Sequence, residues 1–168
     1  MTTLKEKASW KAKWQIKKWQ DEAKWKGGES PYEVVDIDGN QLENCGINEL
    51  FTIICDGPTA ALWDNANAYL GVGASTDAFD ATDTDLQEVA GGVWVGMDAG
   101  FPTYGTNQKA TWQATFTGLV ANQAWQEFAV CNHADGGDSG TILNRKVSDQ
   151  GTKTAGQVWQ LTLEITLS

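Results

Sequence analysis

Few segments of this chain carry residue types able to do chemistry, and each falls short of a working set. Ser139, in Gly137-Asp138-Ser139-Gly140, could act as a nucleophile. That chemistry needs a base against the hydroxyl and a third group orienting the base. The chain has one histidine, His133, six residues earlier in the same stretch, HADGGDSG. With base and serine so close in one turn-rich run, the segment reads as a loop joining two strands.

Asp36-Ile37-Asp38-Gly39-Asn40 hints at a calcium loop. The EF-hand pattern needs Gly at its sixth position and Glu at its twelfth, and Gln41 and Ile47 stand there. A strand followed by a turn fits better. Asp77, Asp80, Asp83 and Asp85 could ligate a hard cation, but read as solvated loop charge. Cys45, Cys55 and Cys131 are odd in number and widely spaced, which argues against a disulfide framework. No Cys-x-x-Cys is present, so a tetrahedral zinc site lacks ligands. The cysteines read as small buried hydrophobes. No two carboxylates stand out as a glycosidase pair, and no phosphate-binding loop or dinucleotide fingerprint occurs. The sequence therefore predicts neither catalysis nor a cofactor.

The elements that position these residues are mostly strands. Tyr32–Ile37, Ala68–Val72, Val93–Gly96, Ala110–Thr117, Trp125–Cys131 and Thr141–Val147 read as short strands between turns. Residues 157–168 give the clearest pattern. Trp159, Leu161, Leu163, Ile165 and Leu167 alternate with Gln160, Thr162, Glu164 and Thr166, as in a half-buried antiparallel strand. Residues 46–55 read as one short helix, with Ile47, Leu50, Phe51 and Ile54 on one face. No run is long enough for a membrane-spanning helix, and no secretory leader is visible, so a soluble protein made in a cytoplasm is expected.

Charge is spread unevenly. The first 26 residues hold eight lysines against Glu6, Asp21 and Glu22. The remainder holds only Lys109, Arg145, Lys146 and Lys153 against 19 acids, within a net charge of −10. Such an acidic body is ill suited to phosphate contact. The basic leader also carries Trp10, Trp14, Trp19 and Trp25. Residues 9–17 alternate at period two and read as extended, although the composition of residues 4–26 favours helix. So many indoles beside so many lysines point to an interface with another protein. A membrane surface, a single-stranded nucleic acid or the chain's own body are the other options.

Several segments together resemble a family of tailed-bacteriophage virion structural proteins. They are NANAYLGVGAS (65–75), TDTDLQ (82–87), GMDAGFPTY (96–104), ATWQATF (110–116), NQAWQEFAVCN (122–132), ILNRKV (142–147) and GTKTAGQVWQLTLEITLS (151–168), with LKEKASW (4–10) at the start. The resemblance implies a virion component without catalytic residues: a head decoration (cement) protein, trimeric by expectation, or a tail, fibre or baseplate subunit. A carbohydrate-binding module is the rival of another class.

The expectation is thus mainly β: an antiparallel β-sandwich with one short helix and an extended N-terminal arm. Residues 1–30 form the basic, Trp-rich arm, and residues 31–168 the sandwich body. The arm is expected to hold the major capsid protein or another virion protein, with no nucleic acid or membrane involved. Trp10, Trp14, Trp19 and Trp25 are the expected anchors, with Lys11, Lys13, Lys17 and Lys18 as electrostatic partners.

Overall fold

A computed structural model describes residues 9–39, 41–57, 61–88 and 92–168. The described chain is a mainly β sandwich of two antiparallel sheets. In chain order the strands are β1 (Trp10–Trp19), β2 (Glu33–Asp38), β3 (Tyr69–Gly73), β4 (Val93–Gly96), β5 (Thr103–Thr106), β6 (Lys109–Phe116), β7 (Glu127–Cys131), β8 (Ile142–Val147) and β9 (Val158–Leu167). A one-turn helix α1 (Glu22–Lys26) follows β1, and the longer α2 (Asn44–Asp56) follows β2. One sheet has the order β2-β1-β9-β6-β5, the other β4-β3-β7-β8.

The predicted strands and helix are present, shifted by a residue or two at their ends. The alternation of β9 does what it implied. Leu161, Leu163 and Ile165 face the other sheet, while Gln160, Thr162 and Glu164 face outward. Flanking strands extend these rows. Trp14, Leu163 and Trp112 stand side by side across β1, β9 and β6, as do Ile16, Leu161 and Ala114.

Here the division into arm and body fails. Residues 9–17 are extended as expected, but as part of β1, an interior strand between β2 and β9. Sheet pairing along all ten residues outweighs the helical propensity of this stretch. Ala12, Trp14 and Ile16 point into the core, so the chain does not break into two units at residue 30. Residues 1–8 of the expected arm lie outside the described residues.

Between the sheets sits an aromatic cluster. Trp125 meets Phe116 edge-on at 4.7 Å and Trp159 at 4.9 Å between ring centroids. Trp125 donates its indole N–H to Ala121 O at 3.0 Å, which satisfies its one polar atom.

Every residue of β7 is buried, unlike the alternating β9. The far face of its sheet is covered by the start of α2 and the acidic loop, where Leu86 packs on Ala129, Cys131 and Ile142 beside Cys45 and Trp94. A strand covered on both faces reads as a continuous apolar run. The acidic loop is therefore pinned rather than merely solvated: Asp83 and the Asp77 carbonyl both hold Arg145. Of the three cysteines, Cys131 is buried, Cys45 half-buried and Cys55 exposed, so burial is uneven.

Candidate functional site

The eight expected contact residues do not form one surface. Trp14 is fully buried and Trp19 nearly so, its indole N–H donating to Glu29 O at 2.7 Å. Lys18 is 5% exposed, because at this end of β1 it takes an inward position. Its ammonium lies 4.3 Å from the Trp159 ring, 2.8 Å from the Glu33 carboxylate and 3.0 Å from Gln150 O. That inward lysine explains why the period-two pattern breaks at Lys18-Trp19. Lys13 projects outward and bridges Asp36 at 3.4 Å. Lys11 and Lys17 also project from the outer sheet face, and Trp25 is half-buried on α1. Lys13 and Lys18 thus meet acids of β2, which sequence charge counting had placed in a separate body. Anchoring by Trp14, Trp19 and Lys18 is corrected: their contacts are internal.

Trp10 opens on a surface cavity. It lines a groove of about 950 Å³ at one end of the sandwich. The walls come from separated elements: Leu50 and Ile54 of α2, Leu62 and Trp63, Pro102 and Tyr104, Trp112 of β6, and Ile165 and Leu167 of β9.

Local sequence explains each wall. The β5–β6 turn uses Asn107 and Gln108 at φ 54 and 52, a two-residue hairpin turn with both centres left-handed. Gly105, at φ 87, takes up a register shift between Tyr104 and Thr106. Tyr104 is left 74% exposed. On α2 the side that packs is not quite the expected face: Gly46 meets the sheet and Leu50 and Ile53 pack against the core, while Phe51 and Ile54 stay outside it. A Cβ on Gly46 would lie 2.6 Å from Leu143 Cα. Further along, Phe51 and Ile54 are 62% and 75% exposed.

Three polar groups of the lining are engaged elsewhere. Asp64 accepts from the Ala66 and Asn67 N–H groups at 3.1 and 3.0 Å, closing its own turn. Lys109 pairs with Glu164 at 2.9 Å. Trp112 donates its indole N–H to Trp63 O at 3.0 Å. What remains facing outward is mostly apolar. Composition did not reveal this groove. The signal present in the sequence was the wide apolar face of α2 followed closely by Leu62-Trp63.

The other candidate segments are structural. Ser139 follows a 3₁₀ turn (Gly136–Asp138), while His133 Nδ1 accepts from the Asp135 N–H at 3.2 Å. No hydrogen bond joins Ser139 to His133 among the described residues. Asp36 accepts from Gln15 at 2.9 Å, which with Lys13 holds its carboxyl below the usual range. Among the described residues no group of acids, cysteines and histidine has metal-binding geometry, and no helix is long and apolar enough to cross a membrane. Comparison with protein-family models, curated proteins and solved structures finds no match.

Proposed function

We propose that the chain is a structural subunit of a tailed-bacteriophage virion, a head decoration (cement) protein, attached through the end groove instead of a leader arm. One observation carries the choice of surface. Phe51, Ile54, Leu62, Tyr104 and Leu167 are all exposed, from 36% to 75%, and four of the five line one apolar cavity, with Phe51 beside it on α2. Exposed apolar patches of this kind mark interaction sites. Burying each side chain against a partner is worth about 1.5–3 kcal/mol before the ordering costs of association. Many copies on one particle multiply such modest contacts into firm attachment. The virion setting rests on the resemblance of the segments between Asn65 and Ser168, and the major capsid protein is the partner it favours.

A glycan suits this groove less well. The indole nitrogens of Trp10 and Trp63 are buried, and that of Trp112 is already bonded. Only the rim residues Tyr104, Asn107 and Gln108 offer polar groups to sugar hydroxyls, while the floor is apolar. A tail, fibre or baseplate role uses the same groove and differs in copy number and position on the particle.

The test is co-sedimentation of Ile54→Glu/Tyr104→Glu with particles lacking the protein. Both side chains are exposed, so the variant is expected to fold with unchanged Tm and fail to attach to heads. Attachment equal to wild type would overturn the groove as contact surface. Wild-type binding to tails alone would overturn the cement role.

A further inference from the structure

Glu43, immediately before α2, is fully buried, and neither carboxyl oxygen accepts a hydrogen bond. Its backbone is fixed on both sides. The Glu43 N–H donates to Leu143 O at 3.2 Å, and its carbonyl accepts from the Ile47 N–H at 3.0 Å. Glu43 therefore sits where α2 meets β8, at a junction that Gly46 allows to close tightly.

The charges around it are already unbalanced. Arg145 of β8 donates from Nε to Glu127 of β7 at 2.8 Å, from Nη1 to Asp83 at 3.0 Å, and from Nη2 to Asp77 O at 3.0 Å. One cation thus serves two carboxylates, Glu127 and Asp83. Asp80 and Asp83 of the acidic loop face Glu43 and oppose its ionisation, and only Arg145 favours it. Cys45, the next titratable group on α2, is itself held neutral by burial. An ionised Glu43 would add a further negative charge with no donor in a low-dielectric site, a cost that the neutral acid avoids. Burial first, and then Asp83, push the Glu43 pKa up to about 8.

We propose that α2 stays docked on β8 and the acidic loop only while the buried, unpartnered Glu43 carboxyl is neutral, so that ionisation of Glu43 loosens α2. Leu50 and Ile54 then shift, and with them one wall of the end groove. The device belongs to the isolated chain and stands whatever fills the groove.

Hydrogen exchange of the full-length protein from pH 5 to pH 9 tests it, after correction for the intrinsic pH dependence of amide exchange. Protection of residues 44–56 is expected to fall by up to about tenfold per pH unit until about pH 8. In Glu43→Gln it should stay constant, and in the wild type residues 44–56 should be less protected at every pH than β1 and β9, which open only with the whole fold. Flat protection of residues 44–56 in the wild type, or an equal fall in Glu43→Gln, would overturn the proposal. A ¹³C titration of the Glu43 carboxyl gives a readout free of the variant's folding. A midpoint in the ordinary carboxylate range would also overturn it.

Discussion

Trp14 of β1 packs against Phe128 of β7 with ring centroids 5.9 Å apart, and both side chains are fully buried. The contact spans the two sheets, so the leader segment is part of the core that the rest of the chain folds around. Trp14→Ala should cost about 3–5 kcal/mol, the usual range for removing a buried aromatic. Urea denaturation checks this. Deleting residues 1–20 removes a whole interior strand and should leave an unfolded chain by circular dichroism. A cooperative, folded product would restore the picture of a detachable arm.

Arg145 and Glu127 form a buried pair at 2.8 Å, both 0% exposed. A buried pair adds little net stability, but breaking it leaves an uncompensated charge. Arg145→Met is expected to destabilise by about 3–5 kcal/mol. Arg145→Met/Glu127→Gln should recover part of that loss, because the fully buried Glu127 charge is gone while Asp83 still lacks its cation. Recovery stays partial, since Glu127 also accepts from the Gln87 and Glu88 N–H groups. A double-mutant cycle by chemical denaturation reads the coupling.

Gly46→Ala sets two effects against each other. Alanine gains about 1 kcal/mol of intrinsic helix propensity over glycine. The added Cβ, however, would meet the β8 backbone at Leu143 Cα, Ile142 O and Leu143 O, all within 2.8 Å. Backbone atoms cannot swing aside as a flexible side chain can, so the clash wins. Gly46→Ala should lower Tm and lift α2 from the sheet, seen as lost hydrogen-exchange protection in residues 44–56.

Stability should also depend on pH through Glu43. Its pKa is about 8 in the folded protein, against an ordinary value of 4.5 in the unfolded chain. Between those values the folded state holds a proton that the unfolded state has lost. Stability is therefore fully present below about pH 4.5, falls as pH rises, and levels off above about 8. Glu43→Gln should flatten that slope in denaturation curves measured across the interval.

Legibility in the sequence followed the range of the interactions. The long strand β9 was readable because its alternation is set locally by one wet and one dry face. Helix α2 was readable from the spacing of Ile47, Leu50, Phe51 and Ile54. β1 was seen as extended but assigned to the wrong partner. Its lysines suggested a free arm, when Glu33 and Asp36 of β2 supply the countercharge. β5 escaped because Thr103–Thr106 is wholly exposed and carries no alternation. The groove left only a partial signal, the apolar face of α2 followed by Leu62-Trp63, since Trp10, Ile54, Leu62, Tyr104 and Leu167 converge only through the sheet order. The role of Arg145 was hidden likewise, as Asp83 and Glu127 lie far from it in the chain.

On the proposed function, the end groove and not the basic leader contacts the rest of the particle. Photo-crosslinking in assembled particles tests it directly, with a photoreactive phenylalanine at Tyr104 in one preparation and at Lys17 in another. A crosslink to a different virion polypeptide is expected from position 104 and none from position 17. Crosslinks from position 17 with none from position 104 would contradict it.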